Sequence, residues 1–210
     1  VTVASALASF AILAGVLTII PGPDSALILR SALVQGRKHA YATALGIATG
    51  TFVWGAAAAV GAAALLAASE LAFTILKVVG ALYLAYLGVS MIVKSFRRHI
   101  VAPDAAAPVG TLRGAFGRGA LTNLLNPKVG VFYIALIPQF IPEGVPPVGM
   151  GLLLALVHVV ESIVWFTGLI IAAHFAKKWL SSPRVSAWID RVTGGILVAF
   201  GAVLAIESRA

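Results

Sequence analysis

The sequence predicts an all-α, polytopic membrane protein of six transmembrane helices, a 3+3 inverted repeat with broken helices 1 and 4. Three observations predict it. Of 210 residues, 60% are hydrophobic and 10% charged, at a mean hydropathy of +1.03; soluble domains carry roughly 25% charged residues. Six runs long enough for a bilayer core, which takes about 20 apolar residues, follow one another along the chain. Lys and Arg gather in every second connection. The composition excludes a soluble domain and a disordered chain. The absence of cysteine excludes a disulfide framework, an iron–sulfur cluster, a Cys-based zinc site and a thiol redox enzyme.

The first span covers residues 3–29 and is broken only by Asp24. It lacks a basic leader and a small-residue cleavage site, so it is expected to stay in the mature protein rather than act as a signal peptide. The second, residues 40–69, holds no charge, and the third, 71–93, holds only Lys77. The fourth, 119–142, contains Lys128; the fifth, 144–176, contains His158, Glu161 and His174; the sixth, 189–206, has Asp190 and Arg191 at its entrance. Runs of this length are too long for strands and lack the polar alternation of an outer-membrane barrel.

Arg30, Arg37 and Lys38 follow span 1; Lys94, Arg97, Arg98, Arg113 and Arg118 against Asp104 follow span 3; Lys177, Lys178, Arg184 and Arg191 against Asp190 follow span 5. These connections carry net charges of +3, +4 and +3, while the alternate ones hold only Glu70 and Glu143. Basic loops stay in the cytoplasm, so both termini are expected outside. The formal net charge of +8 therefore reads as membrane topology, with no nucleic-acid partner.

The halves resemble each other. Leu17, Thr18, Pro23 and Asp24 match Leu121, Thr122, Pro127 and Lys128 at an offset of 104. Thr51, Val53 and Trp54 match Ser162, Val164 and Trp165 at an offset of 111. Residues 77–86 match 191–200 at an offset of 114. An odd number of spans per unit forces the second copy to enter from the opposite face, the inverted repeat common in secondary transporters. Residues 1–101 form the first expected repeat, 102–115 a cytoplasmic linker rich in Pro and Ala, and 116–210 the second repeat.

Matched positions also carry the breaks. Pro21, Gly22, Pro23 and Asp24 interrupt span 1, and Asn126, Pro127 and Lys128 interrupt span 4. Proline removes a backbone donor and clashes with the preceding turn. In lipid, a broken backbone survives only against protein or a wet cavity, and paired breaks in two halves point to a transport site. Asn126 is a good N-cap and Pro127 suits the first helical position. Asp24 in a first turn suits the helix dipole; Lys128 opposes it. Charges at that depth are functional candidates, with a structural Asp24–Lys128 ion pair as the alternative. Asp24 and Glu161 are the candidate proton carriers, Glu161 because a buried carboxyl binds protons readily. His158 shares a helix face with Glu161 and is expected to be a hydrogen-bonded packing residue; His39, His99 and His174 are expected at the surface. No metal site or cofactor is expected. Gly46-x-x-x-Gly50 and the alanines of 56–64 permit close helix approach, Tyr83 and Tyr86 read as packed in the bundle, and Trp179 and Trp188 read as interfacial anchors.

These residues carry a family resemblance. The stretch PGPDSALILRSALVQGRKHAYATALGIATG, residues 21–50, and LTNLLNPKVGVFYIALIPQF, residues 121–140, resemble signatures of the lysine-exporter and homoserine–threonine-resistance (LysE/RhtB) family of bacterial inner-membrane amino-acid exporters. Residues 161–165 and the glycine-rich last span add to the likeness, which covers essentially the whole chain. The resemblance implies efflux of amino acids or related metabolites, driven by the proton-motive force, with Pro21, Gly22, Pro23, Asp24, Asn126, Pro127 and Lys128 as the motif positions. Its known cargoes include basic amino acids, neutral ones, and homoserine or its lactone.

Two other classes are open to the residues themselves. A metal-cation transporter would need more oxygen, sulfur or imidazole ligands in the spans. An intramembrane enzyme could be drawn from Asp24 with Glu161, or Ser162 with His158, but neither pair sits in a catalytic motif, so the chain is expected not to be an enzyme. Small-residue helix faces leave room for a homodimer.

Overall fold

Proline and the capping residues beside it decide where the helices of this protein start. A computed structural model describes residues 2–20, 22–68, 70–96 and 110–173, with positions 182, 184, 187–188, 191–192, 195, 198–199 and 202 beyond them. Every regular element among the described residues is helical. Helix α1 (Val3–Ile19) opens on a capping box, Thr2 Oγ1 accepting from Ser5 N at 3.2 Å while Ser5 Oγ accepts from Thr2 N at 3.0 Å. Helix α2 (Pro23–Arg30) starts afresh, with Gly22 as its N-cap and Pro23 in its first turn. A π-helical turn, Ser31–Gln35, continues it and stops at Gly36, whose φ of 88° suits a residue without Cβ.

Helix α3 (Arg37–Ala68) and helix α4 (Glu70–Ser95) follow. Helix α5 (Leu112–Leu124) is capped by Thr111, whose hydroxyl accepts from Gly114 N at 3.1 Å. Helix α6 (Pro127–Leu136) is capped by Asn126 and runs into a 3-10 turn at Ile137–Phe140. Helix α7 (Pro147–Ile171) closes the described part.

The two expected breaks are present and alike. Helices α1 and α2 meet at 55°, and α5 and α6 at 57°. Each second half-helix has Pro in its first turn, after Gly22 in one case and Asn126 in the other. Helix α7 and residues 37–64 of α3 are long and apolar enough to cross a bilayer, and each bent pair reaches that length as one span. The sixth run, residues 189–206, lies almost wholly outside the described residues.

Helix α3 runs between α5 and α7 and packs along both. Small residues make this possible. A Cβ on Gly46 would collide with Phe116 O, and one on Gly119 with Thr43 O. Farther along, a Cβ on Gly55 would collide with Ala155, and one on Gly151 with Ala59. Helices in lipid associate through such contacts rather than through a hydrophobic drive. Gly46→Ala should therefore destabilise the fold by about 1–3 kcal/mol, read as earlier unfolding of purified protein on titration from mild detergent into SDS.

Aromatic residues of α1, α6 and the 3-10 turn meet in the core. The Phe10 ring lies 6.0 Å from Phe132 and 5.6 Å from Phe140, centroid to centroid, all three buried with Leu136, Ile137 and Leu154.

Two expectations change. Helix α5 begins at Leu112, so Arg113 and Arg118 ride on its first two turns instead of in a loop. The Thr111 cap makes that start favourable, and long basic side chains near a helix end reach water past apolar neighbours. Tyr86 faces outward on α4 at 66% exposure rather than packing inside.

Candidate functional site

Both helix breaks open into one cavity. Gly22, Asp24, Asn126 and Lys128 line it, together with Asn123 at the end of α5 and Thr51 on α3. The cavity offers about 30 Å³ to the centres of water molecules, room for two or three waters at roughly 10–15 Å³ each. That is less than an amino acid needs, so binding one requires the lining helices to part.

Each polar group has a local reason to be there. Asp24 sits in the first turn of α2, where the helix dipole favours an anion. Its Oδ2 accepts from Asn123 Nδ2 at 2.9 Å, tying the first break to the end of α5. Asn126 is buried, and its Oδ1 accepts from Lys128 N at 3.2 Å, so the cap that starts α6 also fixes the lysine. Lys128 Nζ donates to Leu17 O at 3.4 Å. Four residues beyond Leu17 stands Pro21, which has no N–H to give that carbonyl. The ammonium group supplies the donor that proline cannot. Gly22 leaves space for it: a Cβ there would stand 3.5 Å from Lys128 Nζ.

Two acceptors stay unsatisfied. Asp24 Oδ1 and Asn123 Oδ1 are buried and accept no hydrogen bond from the protein. Buried polar groups of this kind call for a partner. A cation carrying several N–H donors could meet both, while the Lys128 ammonium could meet an anionic group in the same cavity.

A second polar element borders the cavity. Tyr133 OH lies 2.8 Å from His158 Nδ1, His158 Nε2 lies 3.0 Å from Thr18 Oγ1, and Thr18 Oγ1 donates to Ala14 O at 2.8 Å. Because the Thr18 proton goes to Ala14, its oxygen must accept from Nε2–H, and Nδ1 then accepts from tyrosine. One tautomer of neutral imidazole satisfies the whole chain. His158 is the hydrogen-bonded packing residue expected, joining α1, α6 and α7. Among the other histidines, His39 Nε2 lies 2.7 Å from Gly110 O, half-buried rather than at the surface; His99 and His174 lie outside the described residues.

Of the residues singled out in sequence, Gly22, Asp24, Asn126 and Lys128 come together at the cavity. Pro23 is exposed in the first turn of α2, and Pro127 holds the first turn of α6. Pro21 lies outside the described residues. Glu161 does not line the cavity. It packs half-buried on α7 against α1, its Oε1 at 3.8 Å from a Cβ built on Gly15, with Oε2 buried and unpartnered.

Sequence reasoning missed Asn123, although an asparagine in an apolar run is itself a signal. Thr51 and Ser162 were matched as repeat counterparts without a role; both are buried and both line the cavity. Among the described residues no three His, Asp or Glu side chains gather as a metal site would require.

Residues 15–208 match the family model described as LysE type translocator. The uncharacterized membrane protein YrhP of Bacillus subtilis is 32% identical over 198 residues, covering 90% of this chain and 93% of that protein. The threonine efflux protein of Escherichia coli K12 is 30% identical over 190 residues, covering 89% of this chain and 91% of its own. The homoserine/homoserine lactone efflux protein of Salmonella typhimurium is 31% identical, covering 92% and 93%. No solved structure matches.

Proposed function

The chain belongs to the LysE type translocator family, and from that premise we propose that it exports a neutral amino acid across the bacterial inner membrane, driven by protons. The observation that carries this reading is the pairing of opposite charges at the two helix breaks. An amino acid has an ammonium and a carboxylate on one carbon. Asp24 Oδ1 and Asn123 Oδ1, both without a donor, suit the ammonium. Lys128, on the same cavity, suits the carboxylate. Both charges are then used on the common part of the substrate. Hydroxyls of Thr51 and Ser162 and apolar Ile47, Val129 and Phe166 remain for its side chain, an environment for a small neutral group. The relatives named for threonine and for homoserine efflux support that class.

Transport follows from the breaks. Each half-helix can swing about its proline without breaking hydrogen bonds inside the other half, so the cavity can open to one side at a time, as an inverted repeat would do. Asp24 is the candidate to exchange a proton against the substrate ammonium. Glu161, whose Oε2 is unpartnered between α7 and α1, is the candidate to carry a proton while α1 moves. Small-residue faces leave a homodimer open as the assembled form.

Counterflow of radiolabelled threonine, homoserine or leucine into proteoliposomes loaded with the same amino acid tests the reading. Uptake above that of empty liposomes is expected for at least one of them and for neither lysine nor a divalent metal. Counterflow of lysine alone would contradict the neutral class.

Orientation has its own test. The +3, +4 and +3 connections support termini outside and Lys38 in the cytoplasm. Because the chain is free of cysteine, a Lys38→Cys variant can be labelled cleanly. Protection from an impermeant maleimide in intact cells, and reaction after permeabilisation, is expected.

A further inference from the structure

A second cavity lies along the seam between α2 and α5. Asp24 meets Asn123 at one end of this seam at 2.9 Å, and Gln35 meets Arg118 at the other at 3.4 Å. Because the numbers rise on one helix as they fall on the other, the two helices are antiparallel and share one half of the bundle. The main cavity sits at their inner ends. The second is lined by Arg30, Ser31, Gln35, Thr43 and Arg118 with two apolar neighbours, and by no acidic side chain.

We propose that this second cavity is an entry site for the substrate carboxylate, and that a carboxylate bound there opens the α2–α5 seam toward the main cavity. The proposal rests on the amino-acid reading and on the cytoplasmic placement of residues 30–38. Two donors meet one neutral oxygen: Gln35 Oε1 accepts from Arg118 Nη2 at 3.4 Å and from Ser31 Oγ at 3.2 Å; Thr43 Oγ1, which donates to His39 O at 2.9 Å, stands 3.4 Å from Ser31 Oγ. The same two donors suit one oxygen of a carboxylate in place of the amide oxygen. A carboxylate has two such oxygens, and its charge-assisted, bidentate bonds to guanidinium are roughly twice as strong as neutral ones. It would take Arg118 from Gln35.

Losing that contact matters because of where Gln35 stands. It ends the π-helical turn Ser31–Gln35, immediately before Gly36 at φ 88°. π-Turns hold one residue more than the α-helical register and gather at functional sites. Once Gln35 is released, the turn can relax, and the outer end of α2 loses the contact with Arg118 that joins it to α5. The inner tie, Asp24 to Asn123, then meets the substrate ammonium.

The test uses the cysteine-free full chain with one reporter, Thr51→Cys, in the main cavity. Inside-out vesicles expose the cytoplasmic face to an impermeant maleimide. Propionate serves as probe, since it has the carboxylate and no ammonium; propylamine is its control. Propionate should accelerate labelling of the reporter severalfold and propylamine should not. Gln35→Ala should label fast without any probe. Arg118→Ala should label fast and ignore propionate, while Arg118→Lys, which keeps the charge, should regain part of the response. Labelling that is indifferent to propionate in the parent, or as slow in Gln35→Ala as in the parent, overturns the proposal and leaves amino-acid counterflow untouched. Fast labelling of Gln35→Ala from the external face alone overturns both the proposal and the orientation it rests on.

Discussion

Replacing Lys128 with alanine is expected to abolish amino-acid counterflow while the protein still reaches the membrane. The ammonium group stands at the cavity beside Gly22 and donates to Leu17 O. Its loss leaves the Asp24 carboxyl and the incoming carboxylate without a cation. Leaving a buried charge uncompensated costs about 3–5 kcal/mol, which is at least a hundredfold at about 1.4 kcal/mol per factor of ten. The combination with Asp24→Asn separates two roles. If Lys128 only neutralises Asp24, removing both charges restores much of the activity, because an absent pair costs far less than a widowed charge. If Lys128 receives the substrate, the double variant stays inactive, and this is the outcome expected. Fluorescence-detected size-exclusion of each variant checks that the protein is intact.

Glu161→Gln should split transport into its two modes. Glutamine keeps the shape of the side chain that packs against Gly15 and removes its proton-carrying ability. Exchange of amino acid for amino acid needs no net proton movement, so counterflow should persist. Efflux against a gradient should be lost and should no longer respond to an imposed pH difference. Equal loss of both modes would move Glu161 from coupling to folding. Because Glu161 is not among the residues that line the cavity, this separation is cleaner than for Asp24, where one carboxyl would serve proton and substrate together.

Much of this molecule can be read from its sequence because the bilayer narrows the choices. Prolines 21, 23 and 127 have to interrupt helices, and the structure bends at both places by 55° and 57°. Asn126 was legible as a cap because capping is local chemistry, and its Oδ1 does accept from Lys128 N. What stayed hidden depends on which face a residue takes. In lipid both faces of a helix are apolar, so the periodicity that reveals a buried face in water is lost. Asn123 and Asp24 are 99 positions apart, and His158 and Thr18 are 140 apart; no local rule joins them. The π-helical turn at Ser31–Gln35 was equally silent; the contact that its last residue makes, Gln35 with Arg118, spans 83 positions. Glu161 was grouped with the charges at the breaks because all are ionisable and all lie deep, but α7 turns it toward α1 and turns His158 and Ser162 toward the cavity.

In the proposed mode of binding, the two breaks together hold an amino acid by its charged ends. A structure determined with the transported amino acid bound tests this most directly. The ammonium should lie within about 3 Å of Asp24 Oδ1 and Asn123 Oδ1, and the carboxylate at similar distance from Lys128 Nζ, the ordinary hydrogen-bond range. An amino acid bound elsewhere in the bundle, with Asp24 and Lys128 in contact with each other and not with it, would contradict the claim.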